Sequence, residues 1–223
     1  MIKGIIFDLD GTLLNTIEDI NNALNLILEN NGFPKRTIKQ TKLSLGSGSF
    51  HLIRTSLPKS VNQATFLKIH AEYQRYYQNN NDILTRPYDG ILDAIKELRA
   101  NGYKLAVVSN KDDHDVKLLN QNKFQGLIDI AIGARKEKPV KPDPYLVRLA
   151  LDEMKLTADE VVYVGDSDID ILTAKNANIP MITVTWGFRD LETLERCQAT
   201  NIIDNPEDII KKVKLINDQI NKR

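Results

Sequence analysis

The first twelve residues, MIKGIIFDLDGT, decide the fold. Residues 2–7 form a short, almost unbroken apolar run, the pattern of a strand buried on both faces of a parallel sheet. The run passes without a spacer into Asp8 and Asp10. Two later apolar runs end in the same way. Residues 104–108 lead into Ser109-Asn110-Lys111, and residues 161–164 lead into Gly165-Asp166-Ser167-Asp168-Ile169-Asp170. Ligands of open α/β sheets bind outside the carboxyl ends of the strands, so these three polar tips define a candidate site.

Outward from these tips, strand and helix patterns alternate. Strands are expected at residues 104–108, 128–132, 161–164, 181–184 and 201–203, with helices after Asp112, Pro144 and Ser167, near Leu191 and at the end of the sequence. Such alternation implies an α/β fold with a doubly wound parallel sheet and right-handed crossovers. No strand pattern stands between residues 13 and 84. There Ile17, Ile20, Leu24, Ile27 and Leu28 recur with helical period up to Asn31-Gly32-Phe33-Pro34, and Phe66, Ile69, Tyr73 and Tyr76 make a second stripe. The expected organisation is a Rossmann-like core of residues 1–14 and 84–223, interrupted by an α-helical cap at residues 15–83. Residues 13–16 and 79–86 would connect the two.

The chain's 223 residues suit a core domain with one modest insertion. Its 42% hydrophobic and 27% charged content is that of an ordinary globular protein. Thirty basic residues cancel thirty acidic ones, which removes the electrostatic footprint of a nucleic-acid binder. Cys197 is the single cysteine; it allows neither an internal disulfide nor a cysteine zinc site and suits a reducing compartment. The apolar run at the start is too short for a secretory segment or a membrane span, and a cytoplasmic location is expected.

Asp8 and Asp10, two residues apart on extended chain, start on the same face. With Asp166 beside them they repel; two unit charges 4 Å apart cost about 4 kcal/mol at an effective dielectric of 20. A cation between them is required, and an all-oxygen donor set suits Mg²⁺. The spacing of four between Asp166 and Asp170 puts both on the site-facing side of a helix begun at Ser167, and leaves Asp168 as a first-turn acid favoured by the helix dipole. The Ser109 hydroxyl, Asn110 and the turn amides suit phosphoryl oxygens. Lys141, in Lys138-Pro139-Val140-Lys141-Pro142-Asp143-Pro144, would offset charge on nucleophile and phosphate, with Lys138 a competitor for the role. Each signal alone has a plain structural explanation as a turn, a helix cap or a solvated lysine. Their order along the sheet carries the argument.

Asp8-Leu9-Asp10-Gly11-Thr12, Ser109-Asn110, Lys141-Pro142 and Gly165-Asp166 through Asp170 resemble, in order, the four motifs of the haloacid dehalogenase superfamily, over essentially the whole chain. Lys141-Pro142-Asp143-Pro144, Val164-Gly165-Asp166-Ser167 and Val184-Thr185-Trp186-Gly187-Phe188-Arg189 are similar to its phosphoglycolate phosphatase-like branch, which carries a small helical cap. The resemblance implies a phosphatase with Asp8 as nucleophile, Asp10 as acid and base, and Ser109 and Lys141 on the phosphoryl group. It implies Mg²⁺ held by the Asp8 and Asp166 carboxylates and the Asp10 backbone carbonyl, with Asp170 in support. An acid at position 10 favours phosphate esters over haloacids, whose halide leaves without a proton. Lys39, Lys42, Lys59 and Lys68 stand in no setting that would depress a lysine for Schiff-base chemistry.

Alternatives within the fold are a hexose-phosphate mutase and a pyrophosphatase. A phospho-acceptor receiver domain is disfavoured, because residues 128–132 lead into Gly133-Ala134 and not into aspartate. In the cap, Leu45-Gly46-Ser47-Gly48-Ser49-Phe50-His51 reads as a loop entering a helix, and such a loop faces substrate in the resembling family. Gly46 and Arg54 are therefore candidates for recognising a carboxylate such as that of 2-phosphoglycolate. His51, His70 and His114 lack metal spacing, and Tyr73, Tyr76 and Tyr77 read as cap core. The expected partner is a small phosphorylated metabolite, with no nucleic acid or membrane, acting on a monomer or homodimer.

Overall fold

A computed structural model describes residues 1–221. In chain order the elements are β1 (Gly4–Phe7), β2 (Leu14–Asn15), α1 (Ile17–Asn30), α2 (Ile38–Lys42), α3 (Gly48–Ser56), α4 (Gln63–Gln78), β3 (Arg86–Pro87), α5 (Ile91–Ala100), β4 (Lys104–Asp112), α6 (Asp113–Phe124), β5 (Ile130–Ala134), α7 (Tyr145–Met154), β6 (Val161–Gly165), α8 (Asp168–Ala177), β7 (Met181–Thr183), α9 (Leu191–Arg196) and α10 (Asp208–Asn221). Five strands form a parallel sheet in the order β5-β4-β1-β6-β7. The first strand is central, and all four of its residues are buried. Ile5 and Phe7 face α5, α6 and α10 with Leu105, Val107, Val162 and Val164. Ile6 faces α7 and α8 with Ala106, Val108 and Tyr163. This two-sided burial is the α/β architecture that the alternating pattern implies.

The helical insertion between β1 and β4 has its own apolar core, built from Leu24, Ile27 and Leu28 of α1, Leu52 and Ile53 of α3, and Phe66, Ile69, Tyr73 and Tyr77 of α4. Its two chain crossings differ from the expected plain connectors. They pair as the antiparallel ribbon β2–β3, Leu14 opposite Pro87 and Asn15 opposite Arg86, and the Tyr88 N–H continues the pairing onto the Leu13 carbonyl at 3.1 Å. Asp19, buried in the first turn of α1, accepts the N–H groups of Leu84 and Thr85 at 2.9 and 2.8 Å and the Thr85 hydroxyl at 2.8 Å. One carboxylate thus ties the outgoing helix to the returning chain.

Other boundaries also shift. The second core strand runs past Val108 to Asp112, with an irregular register between those residues. The third begins at Ile130, because the Ile128 carbonyl is taken by the Asn120 side chain at 3.0 Å. The expected strand at 201–203 is reduced to a single bridge between Val184 and Ile203; Asn201, at φ +49°, bends the chain away from a ladder. No described helix is long and apolar enough to cross a membrane.

Candidate active site

The tips of β1, β4 and β6 meet beneath the insertion, and the polar residues expected there share one cavity. Asp8 continues β1, its N–H bonded to the Val164 carbonyl at 2.9 Å, so the nucleophile candidate is fixed by sheet backbone. Ser167 begins α8 through a reciprocal cap: its hydroxyl accepts the Asp170 N–H at 3.3 Å and donates to Asp170 Oδ2 at 2.6 Å. That cap turns Asp170 inward, and Asp8, Asp166 and Asp170 bring carboxylate oxygens within 4.8 Å of one another, all buried.

Lys141 is the cation in this cluster. Its Nζ donates to Asp8 Oδ1 at 2.7 Å, Asp170 Oδ1 at 2.8 Å and the Tyr163 hydroxyl oxygen at 3.0 Å. Lys138, its competitor in sequence, is exposed. Asn110 holds Lys141 by both ends of its amide: Oδ1 accepts the Lys141 N–H at 2.8 Å, and Nδ2 donates to the Lys141 carbonyl at 2.9 Å. Asn110 therefore positions Lys141 from the side. Ser109 is buried next to it and accepts the Lys111 N–H at 3.2 Å.

Asp166 is built into a slot. Thr12 Oγ1 donates to its Oδ1 at 3.1 Å and the Phe188 N–H to its Oδ2 at 2.7 Å. Glycine is required on both sides: a Cβ at Gly11, where φ is +90°, would lie 2.5 Å from the carboxylate, and one at Gly187 would lie 2.3 Å from the Asp166 Cβ. Burial, reinforced by Asp170, pushes Asp166 up to about 7. Burial and Asp170 also drive Asp8 well above the usual carboxylate range, against the pull of Lys141. Burial alone would lower Lys141, but Asp170 and Asp8 outweigh it and hold the ammonium protonated. Three carboxylates against one ammonium leave excess negative charge in a buried site. A hard divalent cation on Asp8 and Asp166 fits that imbalance, and the donor set is all oxygen.

The Asp10 carboxylate stands outside this trio. Its Oδ1 lies 3.0 Å from Lys111 Nζ, which also donates to the Tyr77 hydroxyl of the insertion at 2.7 Å. Asp8 and Asp10 thus face separate cations, and each lines the cavity. Gly46 is also at the cavity wall; its carbonyl accepts from Asn110 Nδ2 at 2.8 Å. Arg54 is not. It lies on the outside of the insertion, its guanidinium 3.7 Å from the Phe66 ring centroid and bonded to Gln63 at 2.6 Å, because the inward face of α3 is taken by Leu52 and Ile53. Tyr73 and Tyr77 are buried as expected, yet they also wall the cavity.

Four contacts escaped the sequence reading. Lys111 and Tyr163 are a cation and a phenol on strands read only as apolar runs with polar ends. Thr12, given no role of its own in the first motif, donates its hydroxyl to Asp166. Arg189 spans core and insertion: Nε donates to Asp168 at 2.8 Å, Nη1 to the Lys42 carbonyl at 2.8 Å and Nη2 to the Leu45 carbonyl at 2.7 Å. For Lys111 a signal existed, since it stands in the polar run after the expected strand at 104–108, and for Arg189 in its place at the end of Val184-Thr185-Trp186-Gly187-Phe188-Arg189. Their partners lie too far away in sequence to be paired by periodicity.

A sequence model of the haloacid dehalogenase-like hydrolase family matches residues 5–184. The chain is 30% identical over 210 residues to a phosphoglycolate phosphatase of Aliivibrio fischeri, covering 91% of this chain and 92% of that protein. It is 29% identical over 214 residues to the pyrophosphatase PpaX of Listeria monocytogenes, with 96% and 97% covered. A solved structure from Lactobacillus delbrueckii subsp. bulgaricus, provisionally named a phosphoglycolate phosphatase, superimposes with a TM-score of 0.88 at 34% identity, covering 93% of this chain and 96% of that one. With the family match spanning most of the sequence and the fold agreeing along nearly its whole length, this chain belongs to the haloacid dehalogenase-like hydrolases.

Proposed function

We propose that the chain is a Mg²⁺-dependent phosphatase that hydrolyses a small phosphomonoester through an aspartyl-phosphate on Asp8. The observation that carries this reading is the Asp8 carboxylate, buried at the tip of the central strand, with Lys141 Nζ at 2.7 Å and Asp166 within ligand-sharing distance. Mg²⁺ on Asp8, Asp166 and the Asp10 carbonyl, with Asp170 behind, would supply charge neutralisation for the phosphoryl oxygens.

An Asp8 oxygen attacks phosphorus in line, and the P–O bond to the leaving group breaks as the new O–P bond forms. Asp10 gives its proton to the departing oxygen, then takes one from the water that attacks the acyl phosphate, releasing inorganic phosphate and restoring Asp8. Ser109 and the amides of the β4 tip support phosphoryl binding, and Lys141 holds Asp8 in place while offsetting its charge. Residues 1–14 and 84–223 act as the catalytic core and residues 15–83 as the cap that excludes water. A cavity of about 80 Å³ under that cap favours a small metabolite over a polymer.

Phosphoglycolate is the substrate named for relatives, and pyrophosphate for another. The geometric support expected from Arg54 is missing, so phosphoglycolate rests on those names alone. The test is phosphate release from a phosphomonoester panel with Mg²⁺. Asp8→Asn is expected to lower turnover by at least ~10³-fold with the fold retained by circular dichroism, and chelation of the metal to stop the reaction. Hydrolysis by Asp8→Asn at the wild-type rate would refute the nucleophile. Isomerised product from a sugar 1-phosphate, without free phosphate, would favour the mutase reading.

A further inference from the structure

The same cavity holds, apart from the carboxylate trio, a buried acid without a hydrogen bond to its Oδ1. Asp115, in the first turn of α6, is 3% exposed and lines the cavity, and its Oδ1 has no hydrogen-bond partner among the described residues. An unmet acceptor at such burial is costly unless something supplies a donor. The charged donors of the cavity are engaged. Lys111 lies between Asp10 and Tyr77, Lys141 between Asp8 and Asp170, and Arg189 on Asp168 and two backbone carbonyls.

Resting on the phosphatase reading, we propose that Asp115 is a specificity-determining residue that accepts a hydrogen bond from a hydroxyl on the leaving group, and that the substrate is a phosphate ester whose leaving group is hydroxylated and itself uncharged. Charge argues against a carboxylate. Five carboxylates line the cavity against three cations, each already paired with an acid, and the insertion contributes only apolar, phenolic, hydroxyl and amide side chains. A leaving group bearing a carboxylate would meet that excess with no free cation to receive it. A hydroxyl satisfies the Asp115 oxygen without adding charge, and the stacked Tyr73 and Tyr77 rings offer the kind of apolar face on which a polyol backbone packs. Burial pushes the Asp115 carboxyl up from its ordinary value, consistent with an acceptor that lacks its donor.

The test compares kcat/KM for glycerol 3-phosphate, propyl phosphate, 2-phosphoglycolate and phosphoethanolamine in the presence of Mg²⁺. Glycerol 3-phosphate is expected to exceed each of the others by about tenfold or more. In Asp115→Ala the ratio of glycerol 3-phosphate to propyl phosphate should fall about tenfold, and Asp115→Asn, which keeps an acceptor, should recover part of it. A wild-type enzyme that prefers phosphoglycolate or phosphoethanolamine would overturn the proposal, as would a ratio unmoved in a folded Asp115→Ala. The wild-type ranking holds as a test even if the alanine variant fails to fold. Asp8-dependent hydrolysis of p-nitrophenyl phosphate separates the two levels: its absence removes the phosphatase reading and this inference together, whereas its presence with an inverted ranking removes only the inference.

Discussion

The core and the insertion treat polar groups in opposite ways. In the core, charge is buried and over-determined: Lys141 touches two carboxylates and a phenol, and Asp166 is held by a hydroxyl and an amide between two obligatory glycines. In the insertion, apart from Asp19 and a few other buried polar groups, the buried side chains form an apolar and aromatic cluster, and the polar groups it turns to the cavity make few bonds of their own. The difference locates tolerance. A change in the core unbalances a network of charges, while a change in the cap wall alters what fits beside it.

Lys141→Ala breaks that contrast most severely. It strands Asp8 and Asp170 without their shared cation, and removing one partner of a buried ion pair costs roughly 3–5 kcal/mol. Urea denaturation should show a loss of that order along with loss of turnover; a loss below about 1 kcal/mol would mean that the core network is far softer than its geometry implies.

A smaller effect concerns Asp166. Its folded value of about 7 lies above the unfolded carboxylate value, so without metal the folded state holds the proton more tightly and stability falls as pH rises between about 4 and 7. Mg²⁺ competes with that proton, and the rise in Tm on adding Mg²⁺ should be greater at pH 8 than at pH 5.5. Equal increments at both pH values would sever the metal from this carboxylate.

The smallest effects belong to two arginines that sharpen the comparison. Arg189→Ala removes the tie between core and the Lys42–Leu45 carbonyls, and should speed proteolysis within residues 42–48 with less than about 2 kcal/mol lost globally. Arg54→Ala, on the outer face of the cap, should change kcat/KM less than twofold for any substrate. A larger loss confined to carboxylate-bearing esters would return Arg54 to the site.

Much of the core was legible because its signals are local. An apolar run ending in acids marks a strand tip, and Ser167 with Asp170 three residues on marks a helix start whose cap aims a carboxylate. Lys141 was legible as one of two lysines beside prolines, and burial chose between them. Lys111 with Tyr77, Thr12 with Asp166 and Arg189 with Leu45 were not, since each joins residues at least 34 apart through single polar contacts that leave no period in the sequence. The outward turn of Arg54 was missed for a related reason: helical spacing shows which residues share a face, but Leu52 and Ile53 had first claim on the inward one.

The β2–β3 ribbon gives the molecule a seam. Outgoing and returning chain lie side by side for only two residue pairs, with Tyr88 bonded back to Leu13, so everything between is joined covalently to the sheet at one narrow neck. Segments of other lengths could be spliced at that neck without altering the register of a single sheet strand, which makes the excursion the part of this architecture most open to replacement.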